Sequence, residues 1–167
     1  MENKDNLFLG FKGMRNSSGV LVTELSKDLS LSDASGSNNF CLLTNSFSGV
    51  KRGIDSIPGT YEQVIMFGCD KSLMSCVRIE RFAEKNGIKF ETSLDLALLS
   101  QKLTDGGIAN TISVTPTHYL CNEAYWYALQ KFDGKAVFIH IPTLKNIDEN
   151  FISIMKEFEL WHHGWFI

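Results

Sequence analysis

Apolar residues along this chain fall into two kinds of run. Some are short and continuous, as at residues 64–67, followed at once by Gly68, and at Ala136–Ile141, which holds one polar residue, His140. Residues 7–11, interrupted by Gly10, Phe40–Leu43 and residues 111–114 are weaker versions of the same pattern and read as strands. Other apolar residues recur at three- and four-residue intervals, the spacing that lines one side of a helix. They are Val20, Leu21, Leu25 and Leu29 behind an Asn16-Ser17-Ser18 capping run, the stretch 94–103, and Ala124, Tyr125, Ala128 and Leu129 within 122–131, where Asp133-Gly134 supplies a stop. Phe151, Ile154, Met155 and Phe158 mark a last helix over 147–161. Residues 50–57 predict a short amphipathic helix ended by Pro58-Gly59, and residues 30–39, rich in Ser, Asp, Gly and Asn, predict a loop. Residues 76–82 alternate apolar with charged side chains and predict a half-exposed strand.

Continuous apolar strands alternating with helices are the signature of a sheet covered on both faces. The expected fold is α/β: a three-layer sandwich with a mainly parallel twisted sheet and helices on both faces, forming one domain over residues 1–167. In such sheets ligands and reactive side chains collect at the carboxyl ends of the strands. Gly10, Gly68 and His140, each near the end of its strand, are expected on that edge.

Composition narrows the function. Hydrophobic residues at 44% and charged residues at 21% are ordinary globular values and exclude a disordered chain. A formal charge of −3 and a pI near 5.8 argue against a nucleic-acid surface. No apolar run reaches the length of a membrane span, and the first residues are polar rather than signal-like, so the expected location is cytoplasmic. Cys41, Cys69, Cys76 and Cys121 form no C-x-x-C pair and have no histidine at zinc-ligand spacing. They are expected as reduced thiols rather than zinc ligands.

Cys121 and His140 are the candidates for chemistry. Cys121 falls where a loop turns into a helix, so unpaired N–H groups and the helix dipole are expected to favour its thiolate and lower its pKa. Taken alone, a cysteine is more often a packing residue. His140 has the neutral-pH chemistry of a general base, against the alternative of a hydrogen-bonded core histidine. Glu80, between Arg78 and Arg81, reads by itself as a surface carboxylate. His118 is a rival base in an exposed loop. His162 and His163, in the aromatic tail 161–167, read as surface or partner-facing and suggest a homo-oligomer contact.

Tyr119-Leu120-Cys121-Asn122, followed by Phe138-Ile139-His140-Ile141-Pro142, resembles the cysteine and histidine blocks of the type I pyroglutamyl peptidases, or pyrrolidone-carboxylate peptidases. Residues 77–83 resemble the family's glutamate block. Phe8-Leu9-Gly10-Phe11 with Asn16-Ser17-Ser18 resembles its amino-terminal block, and the catalytic blocks keep the family order. The resemblance implies a three-layer α/β cysteine peptidase that removes an N-terminal pyroglutamyl residue from a peptide or small acyl-amide, without metal or cofactor. It implies Cys121 as nucleophile, His140 as base and Glu80 as the group orienting the imidazole, with Phe11, Asn16 and Gly68 on the substrate side. The chain departs from the family in being shorter, in a compressed segment between Glu80 and Cys121, in Thr117 where glycine is usual, and in residues 68–72 in place of a glycine-arginine stretch. The second phenylalanine expected after Phe11 has Met14 as its nearest counterpart. The reading from another class is a non-catalytic small-molecule or peptide-binding protein on the same scaffold.

Overall fold

The computed structural model describes residues 4–28 and 39–157. In chain order these form β1 (Lys4–Phe11), α1 (Ser17–Asp28), β2 (Phe40–Leu43), α2 (Phe47–Asp55), β3 (Tyr61–Cys69), β4 (Cys76–Glu80), β5 (Phe82–Lys85), β6 (Ile88–Glu91), α3 (Leu96–Asp105), β7 (Ala109–Ser113), α4 (Tyr119–Lys131), β8 (Ala136–Ile141) and α5 (Glu149–Glu157). Six strands make one sheet in the order β2-β1-β3-β8-β4-β7, and β5 pairs with β6 in a separate hairpin. Every neighbouring pair in the main sheet is parallel except β4 with β8. The architecture is the expected three-layer α/β sandwich.

Two-residue periodicity divides the core between the layers. Phe8, Ile65, Phe67, Val137, Ile139 and Ile141 meet Leu21 and Leu25 of α1, Leu99 and Leu103 of α3 and Met155 of α5. Their sequence neighbours Leu7, Leu9, Val64, Met66, Ala136 and Phe138 meet Val50 and Ile54 of α2 and Ala124, Tyr125, Ala128 and Leu129 of α4. Both faces being apolar, the central residues of these strands, 7–9 of β1, 64–67 of β3 and 136–139 of β8, read as continuous hydrophobic runs. The same alternation has a chemical consequence: continuing past Met66 and Phe138, it turns Gly68 and His140 toward the layer of α4.

Three expectations change. The segment 76–82 is not one half-exposed strand: it breaks after Glu80, with Val77 and Ile79 in the core and Glu80 only 1% exposed, because the opposite face of β4 is covered too. The β5–β6 hairpin was not anticipated from apolar periodicity. Its turn, Asn86-Gly87, has both residues in the left-handed region (φ 53° and 75°), as a two-residue hairpin loop requires. Helix α2 starts earlier than expected, at Phe47, because Ser46 caps it by accepting from Gly49 N at 3.0 Å. Leu29, most of the 30–39 loop, the end of the 147–161 helix with Phe158 and Trp161, and the aromatic tail with His162 and His163 lie outside the described residues.

Helix α4 is fixed at both ends. Lys131 Nζ donates to the carbonyls of Ile54, Asp55 and Ile57 at 2.7–2.9 Å, a cation set against the C-terminal end of α2. At the other end Asn122 accepts from Glu84 N (3.1 Å) and donates to Glu84 O (2.8 Å), tying the first turn to β5 as a strand neighbour would. Among the described residues no helix is long and apolar enough to cross a membrane.

Candidate active site

Strand β8 is buried throughout, and its register places His140 between Gly68 of β3 and Arg78 of β4. Glu80 is paired with Phe138, two residues along the same face. His140 Nδ1 lies 2.6 Å from Glu80 Oε1, and both side chains are almost wholly buried. Arg78 Nε donates to the same oxygen at 2.8 Å, and Arg78 Nη2 lies 2.8 Å from Asp70 Oδ2 and 3.3 Å from His140 Nδ1. The Tyr125 hydroxyl donates to the Glu80 carbonyl at 2.9 Å, joining α4 to this strand. Glu80 Oε2 is buried without a hydrogen bond.

Asp70 belongs to the loop that carries the chain from β3 over the end of β8 to β4, and its N–H donates to Ile141 O at 2.9 Å. Burial alone would raise the Asp70 pKa. Hydrogen bonds from Ser72 Oγ and N, together with Arg78, outweigh it and hold the carboxyl at about 2. Burial likewise opposes the charge of Arg78, and Glu80 and Asp70 more than offset it, so its pKa is raised.

Cys121 occupies the first turn of α4, as expected, though the helix begins at Tyr119 rather than Asn122. His118 is the N-cap and gives no side-chain hydrogen bond, and the first intrahelical bond runs from Asn122 N to His118 O at 3.5 Å. The N–H groups of Tyr119, Leu120 and Cys121 precede that bond. Tyr119 is 85% exposed and has a φ of 57°, the left-handed region that a bulky side chain rarely adopts. The expected lowering of the thiol pKa is overturned. Burial pushes Cys121 up to about 12, Glu80, Cys69 and Asp70 add to the rise, and Arg78 only partly opposes it. A helix N-terminus does not compensate for a desolvated thiolate facing two carboxylates.

Gly68 brings Cys121 to the sheet. A Cβ at this position would lie 2.6 Å from Phe138 Cζ and 3.1 Å from Cys121 Sγ. Glycine is needed here for close approach, because the thiol and the ring pack directly on the strand backbone. Gly68→Ala is expected to cost about 1–3 kcal/mol through overpacking, seen as a lower denaturant midpoint at unchanged slope.

The structure thus brings Cys121, His140, Glu80 and Gly68 to one region. Phe11 is buried one ring away, its centroid 6.4 Å from Phe138, whose ring is 4.8 Å from His140. Asn16 caps α1, its Oδ1 accepting from Ser18 N (3.1 Å) and Ser18 Oγ (2.6 Å), and forms no hydrogen bond with the other site residues. Cys121 and His140 are not hydrogen-bonded to each other. His118 is exposed and makes no contact with Glu80, so the carboxylate partner belongs to His140. Sequence reasoning took Arg78 only as a flanking surface charge and gave Asp70 no role. The signal for Arg78 was the alternation of 76–82, which puts Arg78 and Glu80 on one face. Among the described residues no group of three His, Cys, Asp or Glu side chains is placed to hold a metal ion.

No protein-family model and no curated protein sequence matches this chain. Solved structures do match it. Pyrrolidone carboxyl peptidase from Thermococcus litoralis is 21% identical with a TM-score of 0.63, the alignment covering 92% of this chain and 90% of that one. A mutant pyrrolidone carboxyl peptidase from Pyrococcus furiosus is 17% identical with a TM-score of 0.69, over 94% and 95% of the two chains. Pyroglutamyl peptidase I from Bacillus amyloliquefaciens is 15% identical with a TM-score of 0.66, over 99% and 100%. The chain has a pyroglutamyl peptidase I-like fold.

Proposed function

We propose that this chain is a cysteine peptidase that hydrolyses the amide after an N-terminal pyroglutamyl residue. The observation that carries the reading is the buried 2.6 Å hydrogen bond between Glu80 and His140, beside the glycine against which the Cys121 thiol rests. An ionised Glu80 only accepts, so it holds the hydrogen on Nδ1 and leaves Nε2 as the base.

Because burial raises the Cys121 pKa, the thiol gives up its proton only as it reacts, and His140 acts by general base catalysis rather than as half of a standing ion pair. As substrate closes the site, Nε2 takes the thiol proton and Sγ attacks the acyl carbon. The oxyanion is held by the free N–H groups at the start of α4. Collapse of the tetrahedral intermediate breaks the C–N bond, the imidazolium gives its proton to the leaving amine, and a thioester remains. Water, deprotonated by His140, attacks the thioester; its collapse releases pyroglutamic acid and returns the proton to sulfur. Glu80, accepting from Nδ1, stabilises each imidazolium.

On the substrate side, Gly68 sets the position of Sγ. Phe11 supplies apolar surface behind Phe138. The Asn16 Nδ2 amide, which forms no hydrogen bond among the described residues, donates to the lactam oxygen. The chemistry needs no metal or cofactor, and free thiols suit a reducing, cytoplasmic setting.

The test is release of a fluorescent amine from an L-pyroglutamyl amide, beside the matching L-prolyl amide, which lacks the ring carbonyl. Turnover of the first and not the second is expected. Failure to hydrolyse the pyroglutamyl amide at any pH from 6 to about 9, a span bracketing ordinary imidazole titration, would overturn the reading and leave a binding protein.

A further inference from the structure

The mechanism above uses Glu80 and His140 and leaves Arg78 without a task. Arg78 is nevertheless three-quarters buried and in register with His140. Its guanidinium only donates, and so does Nδ1 of an imidazole whose Nε2 is to serve as base. Both point at one acceptor, Glu80 Oε1, from 2.8 and 2.6 Å, while Oε2 has no partner. Glu80 is thus neutralised by a permanent cation and does not depend on a charged imidazole.

The titratable and charged groups around the Glu80–His140 pair are Arg78 and Glu80 from β4, Asp70 from the β3–β4 loop, Cys69 from the end of β3, and Cys121 and Tyr125 from α4, the Tyr125 hydroxyl donating to the Glu80 carbonyl. Arg78 is the cation among them, set against two carboxylates. If its charge is removed, a buried carboxylate faces the imidazole with nothing to balance it, and the Glu80–His140 pair takes up a proton. If the imidazole holds that proton, Nε2 is protonated. If the carboxyl holds it and donates to Nδ1, the neutral ring shifts to its Nε2–H form. Either way the base is lost.

We propose that Arg78 is a positioning residue that sets the pH at which His140 becomes a free base, by neutralising Glu80 while Asp70 holds the guanidinium in place. The proposal rests on the reading of His140 as the base. It makes two opposite predictions from one charge balance. Arg78→Met leaves the pair more negative, so proton release moves to higher pH. Asp70→Asn, which keeps an oxygen for Ser72, gives the whole charge of Arg78 to Glu80 and moves release to lower pH.

The experiment is a nitrogen NMR titration of the imidazoles in the full chain, which has four histidines, with His140→Gln assigning the resonance. It needs no substrate. For Arg78→Met the midpoint of the Glu80–His140 pair is expected to rise by about one pH unit or more, the size of effect of a unit charge at this range. Arg78→Lys is expected to retain most of the native midpoint, and Asp70→Asn to lower it. Where turnover is measurable, the acid limb of kcat/KM moves in the same directions. Unchanged midpoints in Asp70→Asn and Arg78→Met overturn the proposal, and Asp70→Asn alone decides it if Arg78→Met does not fold. Midpoints that move as expected in a protein that hydrolyses no pyroglutamyl amide uphold the role of Arg78 and separate its fate from that of the peptidase reading.

Discussion

Cys121→Ala is expected to lower hydrolysis of an L-pyroglutamyl amide by at least about ten-thousand-fold, the scale on which loss of a nucleophile acts in a coupled triad. The neighbouring thiol, Cys69, is near enough to influence Cys121 but follows Gly68 on β3 and lacks the helix N-terminus that would supply oxyanion donors. The fold is expected to survive, because the change removes a single side-chain atom from a large layer, and the cost is about 1 kcal/mol. The measurement is amine release by Cys121→Ala and Cys69→Ala, with circular dichroism confirming that both are folded. More than a trace of turnover in the first, or its abolition in the second, would move the nucleophile elsewhere.

The second large effect is expected at Glu80. Glu80→Gln keeps the shape and an oxygen that can accept from His140 Nδ1 and Arg78 Nε, but removes the charge that stabilises the imidazolium. A loss of about a hundred- to ten-thousand-fold in kcat/KM is expected, carried by kcat rather than KM, since the charge matters most when His140 is protonated in the transition state. Gln also places an amide N–H where Oε2 now lies buried without a partner, so stability should fall by about 1–3 kcal/mol. Glu80→Leu is the harsher change: it leaves the Arg78 guanidinium with Asp70 alone and the buried His140 Nδ1 without its acceptor, and a loss of about 3 kcal/mol is expected. Steady-state kinetics with denaturant melts separates the two consequences. A Glu80→Gln protein with native kcat would remove Glu80 from the mechanism.

The central strands were legible because burial on both faces leaves a nearly continuous apolar run, as in Ala136–Ile141, which the structure keeps residue for residue. The helices were legible from one-sided spacing, with ends off by a few residues where a cap such as Ser46 lay outside the apolar pattern. What a single sequence conceals is the partner across the sheet. The alternation in 76–82 was visible, yet it reads as a solvated strand until α4 is known to cover the charged face, and that depends on contacts between distant residues such as Tyr125 and Glu80. The thiol of Cys121 shows the same limit: its place at a helix start was readable, but the desolvation that dominates its chemistry depends on Phe138 and Gly68, which close in from two other elements.

The strand order also governs when the site can come into being. Strand β8 is the last strand to be made among the described residues, yet it lies between β3 and β4, which are made before it. A nascent chain complete only through α4 holds Cys121 and Glu80 but has an open gap where His140 belongs, and β3 and β4 each present an unpaired edge to the crowded surroundings of the ribosome. Insertion of the final strand closes the sheet and brings His140 to Glu80 in one event, so the proposed acid–base couple does not exist before the sheet is finished.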